Sequence, residues 1–240
     1  MTNLLSRFTK SSKIFEILMI FFGITLSMQF NNWNEARKQK QKELKLLSAI
    51  YVDLNTDLVD VKSVIRKFDV SYIKVLNRLD SCLQTSKPVD FKSLKKPLML
   101  PVGNSYMDQN NGAFECAKYD GANLIKNSSL KIKIFEYYES KLKWIKNQQD
   151  WQYQFGSTYI YPIFIKYCED NLQISYQNYL RLRKDKQAIR LLSMWKKSYV
   201  QNQKMHKELI PVLKKLKHEM EQELTAKGED PKQILRECKI

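Results

Sequence analysis

The feature that most constrains this chain is an apolar stripe that begins after its first forty residues. Leu44, Leu47, Tyr51, Leu54, Leu58, Val61, Ile65, Phe68, Tyr72, Val75 and Leu79 recur three and four residues apart without a break. That period marks one face of a long helix packed in coiled-coil fashion. Over these residues the rod is about 54 Å long. Its partner is either a second copy of the chain or a later helix of the same chain. Tyr51, Phe68 and Tyr72 are bulky for a tight two-stranded coil, which favours an intramolecular bundle.

A later helix with the same period is present. Residues 186–226 carry Leu192, Trp195, Tyr199, His206, Leu209, Leu213, Leu216 and Met220, with Asn202 on the stripe and Pro211 inside the run. The two heptad regions are separated by a connection at 86–112. It holds Pro88, Pro97, Pro101, Gly103 and the turn signal Asn110-Asn111-Gly112. Helicity resumes at 113, and Asn127 or Ser128 can cap a helix with its side-chain oxygen. From there Leu130, Ile134, Tyr137, Trp144, Trp151 and Phe155 recur at core spacing. Gly228 and Pro231 end the last helix, so 227–240 reads as a loose tail. With only 6 Gly and 6 Pro in 240 residues, an all-β fold with its frequent turns is excluded. At 43% hydrophobic and 12% aromatic, the chain can bury a core.

Upstream of the stripe lies Ile14–Phe30, an apolar run containing one charge, Glu16. A basic tail at 1–13 precedes it, and Asn31 to Trp33 extend it towards the interface, where Trp is favoured. The reading is a transmembrane helix at 14–33, then a long heptad helix at 34–85 and a bundle at 113–226. The expected fold is therefore all-α, an amino-terminal transmembrane helix followed by an elongated helical bundle with long heptad-patterned helices.

Two stretches carry a resemblance. The first is Glu16-Ile17-Leu18, Gly23-Ile24-Thr25-Leu26 and Gln29-Phe30-Asn31-Asn32-Trp33-Asn34-Glu35. The second is Gly121 to Asn127, followed by Leu130, Ile134 and Tyr137-Tyr138. Together they resemble a bacterial family of small membrane proteins known as domain of unknown function 6090. The chain departs from it at Phe15, where the family tends to have a small residue. The resemblance implies a single-pass, mostly helical protein with Glu16, Gly23 and Trp33 in its anchor, and it implies no activity.

The residues themselves offer no catalytic constellation. His206 and His218 are twelve residues apart on one helix, about 18 Å, and cannot share an ion. Cys82, Cys116, Cys168 and Cys238 lack metal-site spacing. Asp53 and Asp57 share a helix face, but two acids without a basic partner read as solvated. No Gly-rich phosphate loop or nucleophile elbow is present. The chain is thus expected to be non-enzymatic and without a cofactor.

The net charge of +16 leaves two functional readings. Basic clusters occur at Arg181, Arg183, Lys184 and Lys186, and at Lys214, Lys215 and Lys217. Aromatics at core spacing argue against nucleic acid. The favoured reading is a structural, sensory or partner-binding module with membrane lipids as partners, and a protein partner or second copy on the heptad helices. Its place would be the bacterial inner membrane, with the bundle on the periplasmic side. The alternative is a cytoplasmic module binding anionic lipid or nucleic acid.

Overall fold

The computed structural model describes residues 2–84, 107, 110–119, 123–169 and 173–238, without the side chains of 2–14, 17 and 69–71. The connection read at 86–112 and the Gly121-Ala122 pair fall largely outside these residues.

The described residues are helical, with one isolated bridge between Cys168 and Ile174. Helix α1 runs Thr2–Lys67 and passes through a π-helical turn, Phe68–Ile73, into α2, Lys74–Gln84. Between residues 24 and 84 there is neither Gly nor Pro, so nothing in the sequence breaks the ladder. After α3, Gly112–Tyr119, a second ascending rod is assembled from α4, Ser128–Phe135, α5, Lys143–Phe155, and α6, Tyr161–Tyr167. Two further π-helical turns join these pieces, Glu136–Leu142 and Gly156–Ile160. A short α7, Tyr176–Lys184, leads into α8, Lys186–Ala226, which descends along both rods.

Named contacts fix this three-rod bundle. The Tyr51 hydroxyl donates to Glu221 at 2.7 Å, and Lys196 meets Asp80 at 2.5 Å, so α8 is antiparallel to α1 and α2. Lys133 meets Glu219 at 2.7 Å and Gln149 meets His206 at 3.3 Å, so the α4–α6 rod is also antiparallel to α8. The partner of the heptad stripe is thus α8 of the same chain. From α8, Leu192, Trp195, Tyr199, Asn202, His206, Leu209, Leu213, Leu216 and Met220 are all buried.

The α8 stripe stands as read, whereas the stripe of α1 and the spacing in the second rod each need a correction. In α1, Leu47, Tyr51, Leu54, Val61 and Phe68 are buried, whereas Leu44, Leu58 and Ile65 are half-buried at its edge. The buried positions of α1 and its π-helical turn between 47 and 68 are 47, 50, 51, 54, 57, 61, 64 and 68. They include Ile50, Val64 and the carboxylate of Asp57, each 0–2% exposed. In the second rod, Trp144 and Trp151 are about half exposed, while Ile145, Gln149 and Gln152 are buried. The π-helical turn at 136–142 explains this shift: its extra residue advances the inner face by one position.

Among the described residues no helix is long and apolar enough to cross a membrane. This overturns the expected transmembrane helix at 14–33. The apolar stretch from Phe15 to Phe30 spans about 24 Å, short of the ~30 Å hydrocarbon core, and Glu16 and Gln29 lie inside its two ends. It forms part of α1, continuous with the bundle helix.

Helix α8 ends in a Schellman motif. Gly228 takes φ +93°, Glu229 N–H donates to Leu224 O at 3.0 Å, and Gly228 N–H to Thr225 O at 3.0 Å. Asp230 then caps α9, Pro231–Glu237, by accepting from Lys232 N–H at 2.9 Å. Ile234 and Leu235 of α9 pack on the core.

Candidate functional site

The amino-terminal part of α1 is the most unusual surface. From Phe15 to Trp33, every large apolar side chain described is at least half exposed. Met19, Ile20, Phe21 and Phe22 are consecutive, and at 100° per residue they cover the whole helix circumference. Glu16 is exposed, a Cβ added at Gly23 would meet nothing within 4 Å, and Trp33 packs on Phe30 at 5.7 Å between ring centroids. The first buried residue among those whose side chains are described is Glu43. About 42 Å of helix therefore extends beyond the bundle between residues 15 and 42.

Where this segment enters the bundle, buried polar groups tie the three rods. Glu43, 1% exposed, accepts from Lys126 N–H at 2.8 Å and from Lys227 Nζ at 3.0 Å. Lys227 also meets Glu223 at 3.2 Å, and the two carboxylates raise its pKa against the opposing effect of its partial burial. Glu223 accepts from Asn127 Nδ2 at 2.7 Å. Asn127 in turn caps α4 by accepting from Leu130 N–H at 3.1 Å. The capping residue is thus Asn127, held in place by α8.

About four turns further along α1, Asp57 is fully buried, which corrects the reading of Asp53 and Asp57 as solvated acids. It accepts from the Tyr137 hydroxyl at 2.7 Å, from Asn110 Nδ2 at 3.1 Å and from Asn110 N–H at 3.3 Å. Burial pushes its carboxyl up to about 6, against the lowering effect of these hydrogen bonds, and Asp53 adds to the rise. Asp53 accepts from Ala113 N–H at 3.3 Å in the first turn of α3, and burial raises its pKa too. The pair thus fastens the carboxyl end of the connection to α1. The Tyr138 hydroxyl, pushed up by burial and by Asp57 and Asp53, has no hydrogen-bond partner among the described residues.

A third polar strip lies between α5 and α8. His206 Nδ1 donates to Asn202 O at 2.7 Å, which leaves Nε2 to accept from the Gln149 amide. Burial lowers the His206 pKa, so the ring is neutral. Asn202 Nδ2 donates to Gln152 Oε1, and Gln152 Nε2 donates to Ser198 Oγ at 3.2 Å. The amides and the imidazole thus engage one another. His218 is exposed and bonded to Gln222. The four cysteines are unbridged; burial pushes the Cys168 thiol up to about 11, the reverse of an activated nucleophile. Among the described residues no group of three or more His, Cys, Asp or Glu side chains is placed to hold a metal ion.

Neither the curated proteins nor the solved structures include a match to this chain. A family model does match, over residues 16–155, more than half of the sequence. That region takes in the exposed apolar helix, Glu43, Asp57, Tyr137 and the capping Asn127, and its description is a family of unknown function. The chain belongs to that family, DUF6090.

Proposed function

We propose that this chain is a non-enzymatic, partner-binding helical bundle held at a lipid surface by the amino-terminal part of α1. One observation carries the reading: apolar side chains are exposed around the whole circumference of that helix, beyond the last contact with the bundle. An exposed apolar area of this extent marks an interaction site, and a lipid surface can take up its large side chains without a matching protein groove. Each large apolar side chain moved out of water contributes about 1.5–3 kcal/mol. The exposed Arg37, Lys38, Lys40, Lys42 and Lys45 follow directly. Such charges gain about 1 kcal/mol each beside anionic headgroups. The non-enzymatic part of the reading is supported by the buried polar groups, most of which are engaged with one another inside the bundle.

The test is flotation of the full-length chain with vesicles of phosphatidylcholine and phosphatidylglycerol. The chain should rise with the vesicles, and the double variant Ile20→Lys, Phe21→Lys should stay at the bottom. A full-length chain that does not float, or a double variant that floats equally well, overturns the lipid attachment.

A further inference from the structure

Helix α8 presents a groove in two adjoining parts, one on each flank, at the end of the bundle remote from the apolar segment. One part, about 550 Å³, lies along the start of α8 and is lined by Lys186, Arg190 and Lys197 with Ile189 and Ser193. The other, about 320 Å³, lies between α8 and α5 and is lined by Trp151, Gln148, Gln201 and Asn202. Met194 and Lys197 belong to both. No carboxylate lines either part, and the nearby Asp80 is neutralised by Lys196.

The chemistry of this lining is specific. Trp151 is 47% exposed and Met194 43%, an unusual pairing beside three exposed cations. Trp151 is also held in place: it stacks on Phe155 at 5.2 Å, and Phe155 stacks on the buried Trp195 at 5.8 Å. A pre-positioned aromatic ring loses little freedom when covered, which is what makes a strong anchor. The side-chain amides of Gln148 and Gln201 can pair with the backbone of an extended peptide. Three cations strung along one helix are few for a nucleic-acid backbone, which carries a phosphate at every nucleotide.

We propose that this groove binds an acidic, aromatic-containing peptide segment of a partner protein. The carboxylates meet Lys186, Arg190 and Lys197, and the aromatic side chain packs on Trp151 and Met194. This deepens the partner-binding reading above and rests on it.

The probe is a fluorescein-labelled glutamate–tyrosine copolymer, followed by anisotropy with the full-length chain in detergent micelles. Binding should weaken with salt. It should fall by about 10-fold or more in Trp151→Ala and in Lys197→Glu. Lys232→Glu on α9, an equal change of net charge far from the groove, should leave it unaltered. Circular dichroism checks that each variant is folded. Failure of the folded wild type to bind overturns the proposal, as do unchanged affinities in Trp151→Ala and Lys197→Glu. Equal competition by polyglutamate removes the aromatic anchor, and stronger competition by oligothymidylate or heparin assigns the groove to another polyanion; either result overturns it. Vesicle flotation is measured on the same preparation, so loss of peptide binding with flotation intact condemns the groove alone.

Discussion

The two ends of the bundle are held together by different means. Near the apolar segment the rods are joined by polar, directional contacts. Glu43 meets Lys227, Tyr51 meets Glu221, Lys217 meets Asn55 at 2.9 Å, and Asp57 meets Tyr137. At the far end large aromatic contacts join the rods, beside the Gln149, Gln152, Asn202 and His206 strip and the Lys196–Asp80 pair. Phe68 meets Tyr199 at 5.7 Å and His206 at 5.4 Å, Tyr72 stacks on Tyr199 at 5.0 Å, and Trp195 meets Tyr199 at 5.0 Å. Polar contacts fix the register of the helices and respond to pH. Aromatic contacts bury large side chains and respond to volume. The proposed lipid and peptide contacts lie at these opposite ends, so each end can be altered with little effect on the other.

The largest effect should come from the aromatic end. Trp195 is fully buried, and Trp195→Ala should cost about 3–5 kcal/mol. Urea unfolding followed at 222 nm measures it. A loss below about 1 kcal/mol would mean that the aromatic end does not carry the packing.

The polar end should reveal itself through pH. Asp57 has a folded-state pKa of about 6, above its ordinary 3.8. The folded state therefore holds this proton more tightly than the unfolded chain does. The stability this contributes is fully present below about pH 4 and is lost as pH rises through about 6. The full difference is of the order of 3 kcal/mol. Asp57→Asn cannot titrate, so the stability of wild type relative to this variant should fall by that order between pH 4 and pH 7. A difference that stays flat with pH would show that Asp57 does not titrate as a buried acid.

Next in size is Gly156, where a Cβ would lie 2.5 Å from Trp195 Cη2 and 3.0 Å from Cζ2. The indole is rigid and enclosed, so Gly156→Ala should cost about 1–3 kcal/mol through overpacking. Combined with Trp195→Ala, the glycine substitution should lose most of its cost. Additive losses would refute the steric account.

The sequence made the α8 face legible because every apolar residue on that stripe is buried, and the polar Asn202 and His206 did not break the period. It misled in α1 because a buried carboxylate occupies the seam. With Asp57 read as solvated, the apolar pattern falls on the half-buried Leu58 and Ile65, and it passes over Ile50 and Val64, which are buried alongside Tyr51. The signal was available: 47, 50, 54, 57, 61, 64 and 68 keep the same period beside the buried Tyr51 once Asp57 is accepted. In the second rod the error came from a π-helical turn, which no apolar pattern announces. Trp144 and Trp151 then looked like core residues, and the groove beside Trp151 was hidden. The membrane-spanning expectation treated the apolar run as a separate element, whereas it is too short to span and continues into the bundle helix.

The smallest effect tests whether polar contacts at the near end differ among themselves. Lys133 and Glu219 join α4 to α8 at 2.7 Å, with side chains 41% and 23% exposed. Water and salt reach this pair, so its coupling should be only about 0.2–1 kcal/mol. The comparison is with Glu43 and Lys227, where the carboxylate is 1% exposed and also accepts from the backbone of Lys126. A double-mutant cycle of Lys133→Met and Glu219→Gln, run at low and at 1 M salt, isolates the exposed pair from the rest of the joint. The coupling should shrink at high salt, where the Debye length falls to about 3 Å. A salt-insensitive coupling of 2 kcal/mol or more (roughly the range of a desolvated pair) would place Lys133 and Glu219 with Glu43 and Lys227 as a fixed joint of the near end. A small, salt-sensitive value leaves Glu43 and Asp57 as the groups that set the helix register there.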